Sequence, residues 1–327
     1  MYDTCVPLIR AATRGSRLAL WQTDRVAAEL SRVWPDLAIE RVLISTRGDQ
    51  VQDVPLSRIG DKGLFTRELE DALEAESVHF AVHSLKDLPT RLPDGFVIAA
   101  VLERADARDA LVAASPVTID ALPRGARVGT SSLRRRAQLL ARRPDLDVRD
   151  LRGNVPTRVD KVLHGDLDAA VLALAGLTRL DLTAHVVEVL DADVLLPAPG
   201  QGALAVEIKA NARDIADLLA PLNHAETRRA TTAERALLGE LEGGCQVPVG
   251  AFATATADGR LHLAGGVFDL DGRDSVRASL AALVNDDASA VALGRDVAAR
   301  LRRNGADAIL ARVRAASAAH PPAMPEP

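Results

Sequence analysis

The first part of the chain repeats one order of elements: a short apolar run, a polar turn and an amphipathic helix. The run Leu8–Ala12 precedes TRGS, in which Ser16 can cap a helix, and the run Arg41–Ser45 precedes TRGD. The order begins again at Val128, after which Thr130–Ser132 precede a helix through LRRRAQLLARR. Strands that alternate with helices favour parallel sheets with helices on both faces, which bind ligands beyond the carboxyl ends of their strands. The sequence therefore predicts an α/β fold with functional loops at those ends.

Further elements fill this predicted α/β region. Val78–Ser84 alternates in hydrophobicity as a strand does, and Pro89 prevents its continuation. Asp61–Glu76 is predicted to be a glycine-containing loop that leads into an amphipathic helix. Asp147–Leu151 and Asp168–Leu177 are predicted strands, the second of them buried.

The pattern changes after the Pro/Gly-dense segment Leu195–Leu204, which indicates a connection between two lobes. Pro221–Glu226 indicates a second linker. Thr231 and Glu234 have the spacing of a capping box, which predicts that a helix begins there.

Two Asp-Gly pairs, Asp258–Gly259 and Asp271–Gly272, separate alternating segments in the last part of the chain. Such pairs are typical of hairpin turns, so they predict a three-stranded antiparallel meander. Two helices and a loose tail are expected to complete the chain.

The chain is acidic overall, with a formal net charge of −5, but one window is strongly basic. Between Arg127 and Arg158 lie nine arginines and three aspartates, which give this window a net charge of +6. General binders of nucleic acid or membranes need a basic excess over the whole domain. Aromatic residues make up only 2% of the chain, too few for base stacking.

Only two cysteines occur, Cys5 and Cys245, which excludes a disulfide framework and a CxxC metal site. The beginning of the chain lacks the apolar stretch of a secretory signal, and no run of about 18 apolar residues is present. We therefore expect a cytoplasmic protein with no nucleic-acid partner, no membrane partner and no metal.

Cys245 lies in EGGCQVPVG, between a predicted helix end and an alternating strand. Two neighbouring glycines leave the sulfur sterically accessible, and nearby arginines would increase its thiolate fraction. A buried structural cysteine is the alternative, but core packing does not require this surrounding sequence. We expect Cys245 to take part in chemistry.

Asp87 follows the predicted strand Val78–Ser84 and lies beside Lys86. A carboxylate fixed in such a loop can accept N–H groups of a ligand, or stabilise a cation that develops on a ligand nitrogen. A solvated, turn-forming aspartate is the alternative.

Arg134, Arg135 and Arg136 occupy the first turns of a predicted helix, where cations oppose the helix dipole at a cost of about 0.3–1 kcal/mol each. A bound anion would reverse that effect. Arg14 and Arg152 also lie next to turn-forming residues. Because arginine binds carboxylates through two points, these residues indicate a carboxylate ligand, with a solvated basic face as the alternative.

These motifs resemble those of the porphobilinogen deaminase family, and the resemblance covers nearly the whole chain. The matching segments, in family order, are TRGD, GDKGLFTRELE, AVHSLKDLPT, ERADARDAL, VGTSSLRRR, RRPDL, LRGNVPTR, AGLTRL, PAPGQGA, TTAERALL and EGGCQVPVG. Three positions depart from the family pattern. Asp61 and Asp181 stand where glycine is frequent, and Asp160 stands where a basic or small residue is frequent.

The resemblance implies a transferase, hydroxymethylbilane synthase, of tetrapyrrole (porphyrin and heme) biosynthesis. Four porphobilinogen molecules would be joined head to tail, with loss of ammonia, on a dipyrromethane cofactor attached to Cys245 by a thioether. Hydrolysis would then release hydroxymethylbilane.

The resemblance also implies roles for individual residues. Asp87 would be the catalytic residue in contact with the pyrrole N–H groups, and Lys62 and Phe65 would belong to a mobile loop. The residues that bind the cofactor, porphobilinogen and the growing polypyrrole would be Arg14, Ser16, Lys86, Thr130, Ser131, Ser132, Arg134, Arg135, Arg152, Arg158 and Arg179.

The fold implied by the resemblance has two periplasmic-binding-protein-like α/β domains and a small α+β C-terminal domain with a three-stranded antiparallel sheet. Residues 7–102 and 197–220 would form the first domain, 103–196 the second and 221–316 the third, with a flexible tail over 317–327. The protein is expected to be a monomer.

Three other classes remain open at this stage. A two-lobed protein that binds small anions without catalysis would suit the same fold. A nucleic-acid binder would use the basic window, and its binding would weaken steeply with salt. A cysteine hydrolase would need a histidine close to Cys245 in space, since none is close in sequence.

Overall fold

The computed structural model describes residues 8–50, 64–241 and 247–318, so Lys62 and Cys245 lie outside the described residues. The chain divides into two compact units. Of the described residues, the first unit takes 8–50, 64–104 and 203–228. The second takes 105–202, 229–241 and 247–318.

The first unit is built on a five-stranded sheet with the strand order β2-β1-β3-β10-β4. Its strands are β1 (Leu8–Thr13), β2 (Ala38–Leu43), β3 (Phe80–Ser84), β4 (Phe96–Val101) and β10 (Leu204–Lys209). The helices of this unit are α1 (Arg17–Val33), α2 (Arg47–Gln50), α3 (Arg67–Glu74) and α7 (Arg213–Leu219). Its largest core cluster includes Val26, Phe80 and Val206.

A second five-stranded sheet, in the other unit, has the order β7-β6-β8-β5-β9. Its strands are β5 (Asp109–Ala113), β6 (Arg127–Gly129), β7 (Asp147–Arg149), β8 (Ala169–Ala173) and β9 (Val186–Leu190). The helices α4 (Leu133–Arg142), α5 (Val155–Leu163) and α6 (Leu174–Arg179) follow β6, β7 and β8.

The same unit contains the predicted meander of β11 (Val249–Ala255), β12 (Leu261–Phe268) and β13 (Ser275–Ala282). Both Asp-Gly turns are confirmed, because Gly259 and Gly272 have φ values of 79° and 75°. The helices α8 (Ala225–Glu240), α9 (Asp287–Arg303) and α10 (Ala306–Ala318) come from the same part of the sequence. Thus the predicted fold class is confirmed, whereas the three domain limits stay predictions.

One strand of each five-stranded sheet runs against the other four. β10 is antiparallel to β3 and β4, and β5 is antiparallel to β8 and β9. The sheets are therefore mixed, whereas the sequence predicted parallel sheets. The prediction missed the two antiparallel strands because hydrophobic periodicity indicates a strand but not its direction. The amino ends of β10 and β5 consequently lie at the edge where the parallel strands end.

Helix starts were predicted well where a side chain caps the helix. The Ser16 hydroxyl accepts the Ala19 N–H at 3.2 Å, and the Ser132 hydroxyl accepts the Arg135 N–H at 3.4 Å. The second strand of the first unit was predicted at Arg41–Ser45, but β2 begins and ends earlier, at Ala38–Leu43.

Two other predictions were wrong. The segment Asp168–Leu177 is not one strand, because β8 ends at Ala173 and the helix α6 begins at the next residue. A short apolar run does not distinguish a buried strand from a buried helix. Thr231 and Glu234 do not open a helix either, since α8 begins at Ala225. The buried Glu234 carboxylate instead accepts the Gly200 N–H at 2.7 Å and the Ala253 N–H at 2.8 Å.

Candidate functional site

The first unit gathers four of the predicted site residues at one edge of its sheet. Arg14 and Ser16 follow β1, and Lys86 and Asp87 follow β3. Because β1 and β3 are parallel neighbours, their carboxyl ends meet at the same edge.

Asp87 is the exposed member of this group. It ends a short 3₁₀ turn, Leu85–Asp87, that continues directly from β3. Two hydrogen bonds fix the start of this turn. The Leu85 N–H donates to the Ala203 carbonyl at 3.0 Å, and the Gln22 amide donates to the hydroxyl of Ser84, the last residue of β3, at 2.7 Å. The sequence thus places an accessible carboxylate on a fixed turn.

Arg14 contacts partners from its own chain. Its Nε donates to the carboxylate of Asp49 at 3.1 Å and 3.2 Å, and Phe65 lies over its guanidinium with 4.3 Å from the guanidinium carbon to the ring centre. Burial by itself would raise the pKa of Asp49, but the hydrogen bonds from Arg14 and Thr46 outweigh burial and lower that pKa. A Cβ on Gly48 would lie 2.1 Å from the Phe65 ring, so only glycine allows this approach.

The second unit places another group of predicted residues at the edge of its own sheet. Thr130, Ser131 and Ser132 follow β6, and Arg152 and Arg158 lie in the segment after β7. The Ser131 hydroxyl links the two loops, because it donates to the Leu151 carbonyl at 2.6 Å and accepts the Leu151 N–H at 3.1 Å. Arg158 Nε donates to the Gly153 carbonyl at 2.7 Å, and burial lowers the pKa of Arg152.

Arg134 and Arg135 are buried against a carboxylate of their own unit. Asp109, which is 0% exposed, accepts Arg135 Nη2 at 2.7 Å and lies 2.9 Å from Arg134 Nη2. Gln201 donates to the same carboxylate at 2.8 Å. Burial alone would raise the pKa of Asp109, but the charges of the two arginines and the hydrogen bonds from Arg135 and Gln201 lower it to about 2.

This arrangement explains why cations occupy the start of α4. The anion that offsets the charge of these arginines is Asp109 from the chain itself. A solvated basic face is the wrong interpretation for these two residues, because Arg134 and Arg135 are 4% and 6% exposed. Two guanidinium groups share one carboxylate, so the three side chains together keep a charge of +1.

Arg179, at the end of α6, is also buried. Its Nη2 donates to the Gly202 carbonyl at 2.6 Å, and burial lowers its pKa to about 10. Gly202 has a φ of 87°, and a Cβ at this position would lie 2.5 Å from the Ala105 carbonyl oxygen. Glycine is therefore required where Arg179 meets this turn.

The basic window carries less free charge than its sequence suggests. Six of its nine arginines form ion pairs with carboxylates of the same unit. The six are Arg127, Arg134, Arg135, Arg142, Arg143 and Arg149, and their partners are Asp168, Asp109, Asp120, Asp145 and Asp147.

Sequence reasoning missed Asp109, Gln201 and Asp49, which hold the predicted arginines. The available signals were an aspartate among the charges of ERADARD and a glutamine inside the Pro/Gly-rich PAPGQG. Neither signal says which arginine each residue would contact.

Among the helices of the described segments, none has both the length and the apolar character that crossing a bilayer requires. The two edges combine arginines, hydroxyl groups and, in the first unit, an exposed aspartate. They define the chain as an α/β protein in which each unit gathers polar and charged side chains at one edge of its sheet.

Comparison with known proteins identifies the family. Residues 9–217 match the family model "Porphobilinogen deaminase, dipyromethane cofactor binding domain", and residues 229–303 match "Porphobilinogen deaminase, C-terminal domain". The chain is 51% identical to the porphobilinogen deaminase of Chromobacterium violaceum over 302 residues, which cover 92% of this chain and 96% of that protein. It is 48% identical to the porphobilinogen deaminase of Chloroherpeton thalassium over 303 residues, with the same two coverages. The chain belongs to the porphobilinogen deaminase family.

Solved structures show a weaker likeness. The BvgS VFT2 domain of Bordetella pertussis is 15% identical, covers 65% of this chain and 85% of its own, and gives a TM-score of 0.41. The fold described above therefore rests on the sheet topology.

Proposed function

We propose that this chain is an active transferase that joins four porphobilinogen molecules and releases hydroxymethylbilane, with Asp87 as its catalytic residue and Cys245 as the attachment point of its cofactor. Membership of the family supports the reaction. The observation that carries the residue assignment is the exposed Asp87 carboxylate, fixed on a turn at the carboxyl end of β3.

The side chains present fit a dipyrromethane. This group carries carboxylates and pyrrole N–H donors, and the sheet edge of the first unit by itself offers Arg14, Lys86 and Ser16 for the former and Asp87 for the latter. When bound, the dipyrromethane supplies the terminal pyrrole carbon to which the substrate is joined.

Asp87 has two tasks in this proposal. Its carboxylate accepts the pyrrole N–H of porphobilinogen, which orients the substrate. Loss of ammonia leaves a positive charge on the substrate's pyrrole, and a fixed carboxylate stabilises that charge as it develops. Lys86, the neighbouring cation, binds a substrate carboxylate.

The binding residues divide into two groups by burial. Arg14, Arg152 and Arg158 are partly exposed and bind acetate and propionate carboxylates directly, with hydroxyl groups of Ser16, Thr130, Ser131 and Ser132 nearby in their own units. The buried set of Arg134, Arg135 and Arg179 contributes positive charge in a region of low dielectric, where its attraction for carboxylates is stronger than in water. Phe65 lies in the turn directly before α3, and Lys62 lies outside the described residues.

The same proposal includes a cytoplasmic monomer without nucleic-acid or membrane partners. The net charge of −5 and the aromatic content of 2% support the exclusion of nucleic acid, because a general binder needs a basic excess and aromatic rings for base stacking. A two-lobed anion-binding protein, the rival function, would bind porphobilinogen without turning it over.

The test compares Cys245→Ser with Cys5→Ser, which removes the other thiol. The purified wild-type protein and Cys5→Ser should exceed their sequence masses by two linked pyrrole units in intact-protein mass spectrometry. Cys245→Ser should lack that mass and form no hydroxymethylbilane. An unmodified wild-type protein that turns over porphobilinogen would refute the tether, and tight binding without ammonia release would favour the rival.

A further inference from the structure

A buried cluster of three titratable side chains lies in the first unit, apart from the residues discussed so far. His83 on β3, Glu207 on β10 and Glu70 on α3 are 5%, 0% and 8% exposed. His83 Nε2 lies 3.0 Å from Glu207 Oε2, which is within ion-pair distance. None of the three is used in the proposed chemistry.

The charges of this cluster do not balance on their own. Within the described part of the chain, no lysine or arginine forms an ion pair with Glu70 or Glu207. Two ionised carboxylates beside one imidazole would leave a buried negative charge, which is strongly unfavourable. Burial raises the pKa of Glu70 and outweighs the Thr66 side chain, which lowers it; the charge of Glu207 raises that pKa further, and the charge of His83 lowers it.

The position of the cluster connects it to Asp87. His83 lies opposite Ala205 in the β3–β10 ladder, and Glu207 lies opposite Ala81, so the two side chains are diagonal neighbours on one face. The next residues toward the sheet edge are the Ser84–Leu204 pair and the Leu85 N–H that donates to Ala203. The 3₁₀ turn with Asp87 begins there.

A buried polar pair of this kind adds little net stability, but it can specify register. A slip of β3 by one residue against β10 would turn His83 away from Glu207 and expose both unpaired groups to an apolar core. The same slip would displace Asp87, because only Leu85 and Lys86 separate Asp87 from the last residue of β3.

We propose that His83 and Glu207, with the buried Glu70 beside them, are positioning residues that fix the end of β3 and thereby the Asp87 carboxylate. None of the three contacts the substrate. The inference rests on the proposed role of Asp87 for its effect on catalysis, but its effect on the β3 turn is independent of that role.

The catalytic test is a double-mutant cycle between Glu207→Gln and Asp87→Asn. Glu207→Gln keeps the side-chain shape but removes the charge, so we expect kcat to fall about tenfold or more with KM within about twofold, because small misplacements act on the reacting step. In the Asp87→Asn background the same change should lower kcat no further. An equal fall in both backgrounds would overturn the proposal, since a general structural defect acts regardless of Asp87.

The second readout needs no turnover. Hydrogen exchange of the Leu85 amide should become about tenfold faster in Glu207→Gln than in the wild type, and His83→Gln should give a smaller increase. His79→Gln is the matched control, because His79 precedes the same strand but its ring accepts the Arg10 N–H instead. Unchanged Leu85 exchange in both cluster variants would overturn the proposal.

The two readouts separate the possible failures. If Asp87→Asn keeps a normal kcat, the proposed role of Asp87 fails. Faster exchange of the Leu85 amide in Glu207→Gln would still support the proposal that the cluster fixes the turn after β3. If Glu207→Gln does not fold, His83→Gln provides both measurements, since its amide can still donate to Glu207.

Discussion

Two aspartates at the corresponding edges of the two five-stranded sheets differ in burial and in their charged partners. Asp87 follows a parallel strand, and its side chain is exposed at the end of a short turn. Asp109 begins the antiparallel strand β5 at the corresponding edge and is 0% exposed. Its carboxylate is surrounded by Arg134, Arg135 and Gln201. The difference shows that the edge of a sheet does not by itself decide what an acid does there, because burial and opposite charge decide it.

The largest effect is expected for Asp109→Asn. This change leaves two buried guanidinium groups without their carboxylate, which typically costs about 3–5 kcal/mol. The free energy of unfolding, measured by denaturant titration, should fall by that amount. Asp120→Asn, which removes the exposed partner of Arg142, is the control and should change little. Equal losses in the two variants would abolish the distinction between the buried and the exposed acid.

Asp87→Asn should give the opposite result. The amide cannot stabilise a developing cation, so we expect kcat to fall about 100- to 1000-fold, as when one preorganised electrostatic group is removed. The free energy of unfolding should stay close to the wild-type value, because the side chain is exposed. Asp94→Asn, another exposed aspartate of the first unit, should leave kcat unchanged. A stability loss comparable to that of Asp109→Asn would make Asp87 structural.

The pH dependence of stability tests the buried Asp109 separately. The pKa of Asp109 is about 2 in the folded protein and 3.8 as its ordinary value, so folding favours its ionised form. This stability is fully present above pH 3.8 and is lost as the pH falls toward 2, with a total of about 2 kcal/mol. The wild type should therefore lose stability more steeply than Asp109→Asn between these pH values. Parallel curves would mean that Asp109 is not held by its arginines.

The contrast between these acids also shows what sequence can and cannot predict. Local signals were reliable: Ser16 and Ser132 cap their helices, and the Asp-Gly pairs form the predicted turns. Asp109 could not be recognised, because it meets Arg134 and Arg135 only when β5 enters the sheet antiparallel to β8. Periodicity carries no information on that direction.

Glu234 is a case in which a local sequence rule was satisfied but predicted the wrong role. Its spacing from Thr231 satisfied a local rule, but its carboxylate is used by backbone N–H groups of Gly200 and Ala253, which are distant in sequence. The charge of the basic window was overestimated for the same reason, since arginine partners such as Asp168 and Asp120 lie outside it. Tertiary pairing decided each of these cases.

A third aspartate provides the smallest and most local test of the comparison. Asp181, just beyond α6, is exposed and has a φ of 57°, a left-handed conformation that favours glycine. Here the backbone rather than the carboxylate is the constraint, so Asp181→Gly should raise the free energy of unfolding by about 0.5 kcal/mol and Tm by about 1–2 °C. Calorimetry measures both, and kcat should not change. Asp181→Ala removes the same carboxylate but keeps a Cβ, and it should not stabilise the protein. If alanine stabilised as much as glycine, the side-chain charge and not the backbone would be the cause, and Asp181 would join Asp87 and Asp109 as an acid whose surroundings decide its effect.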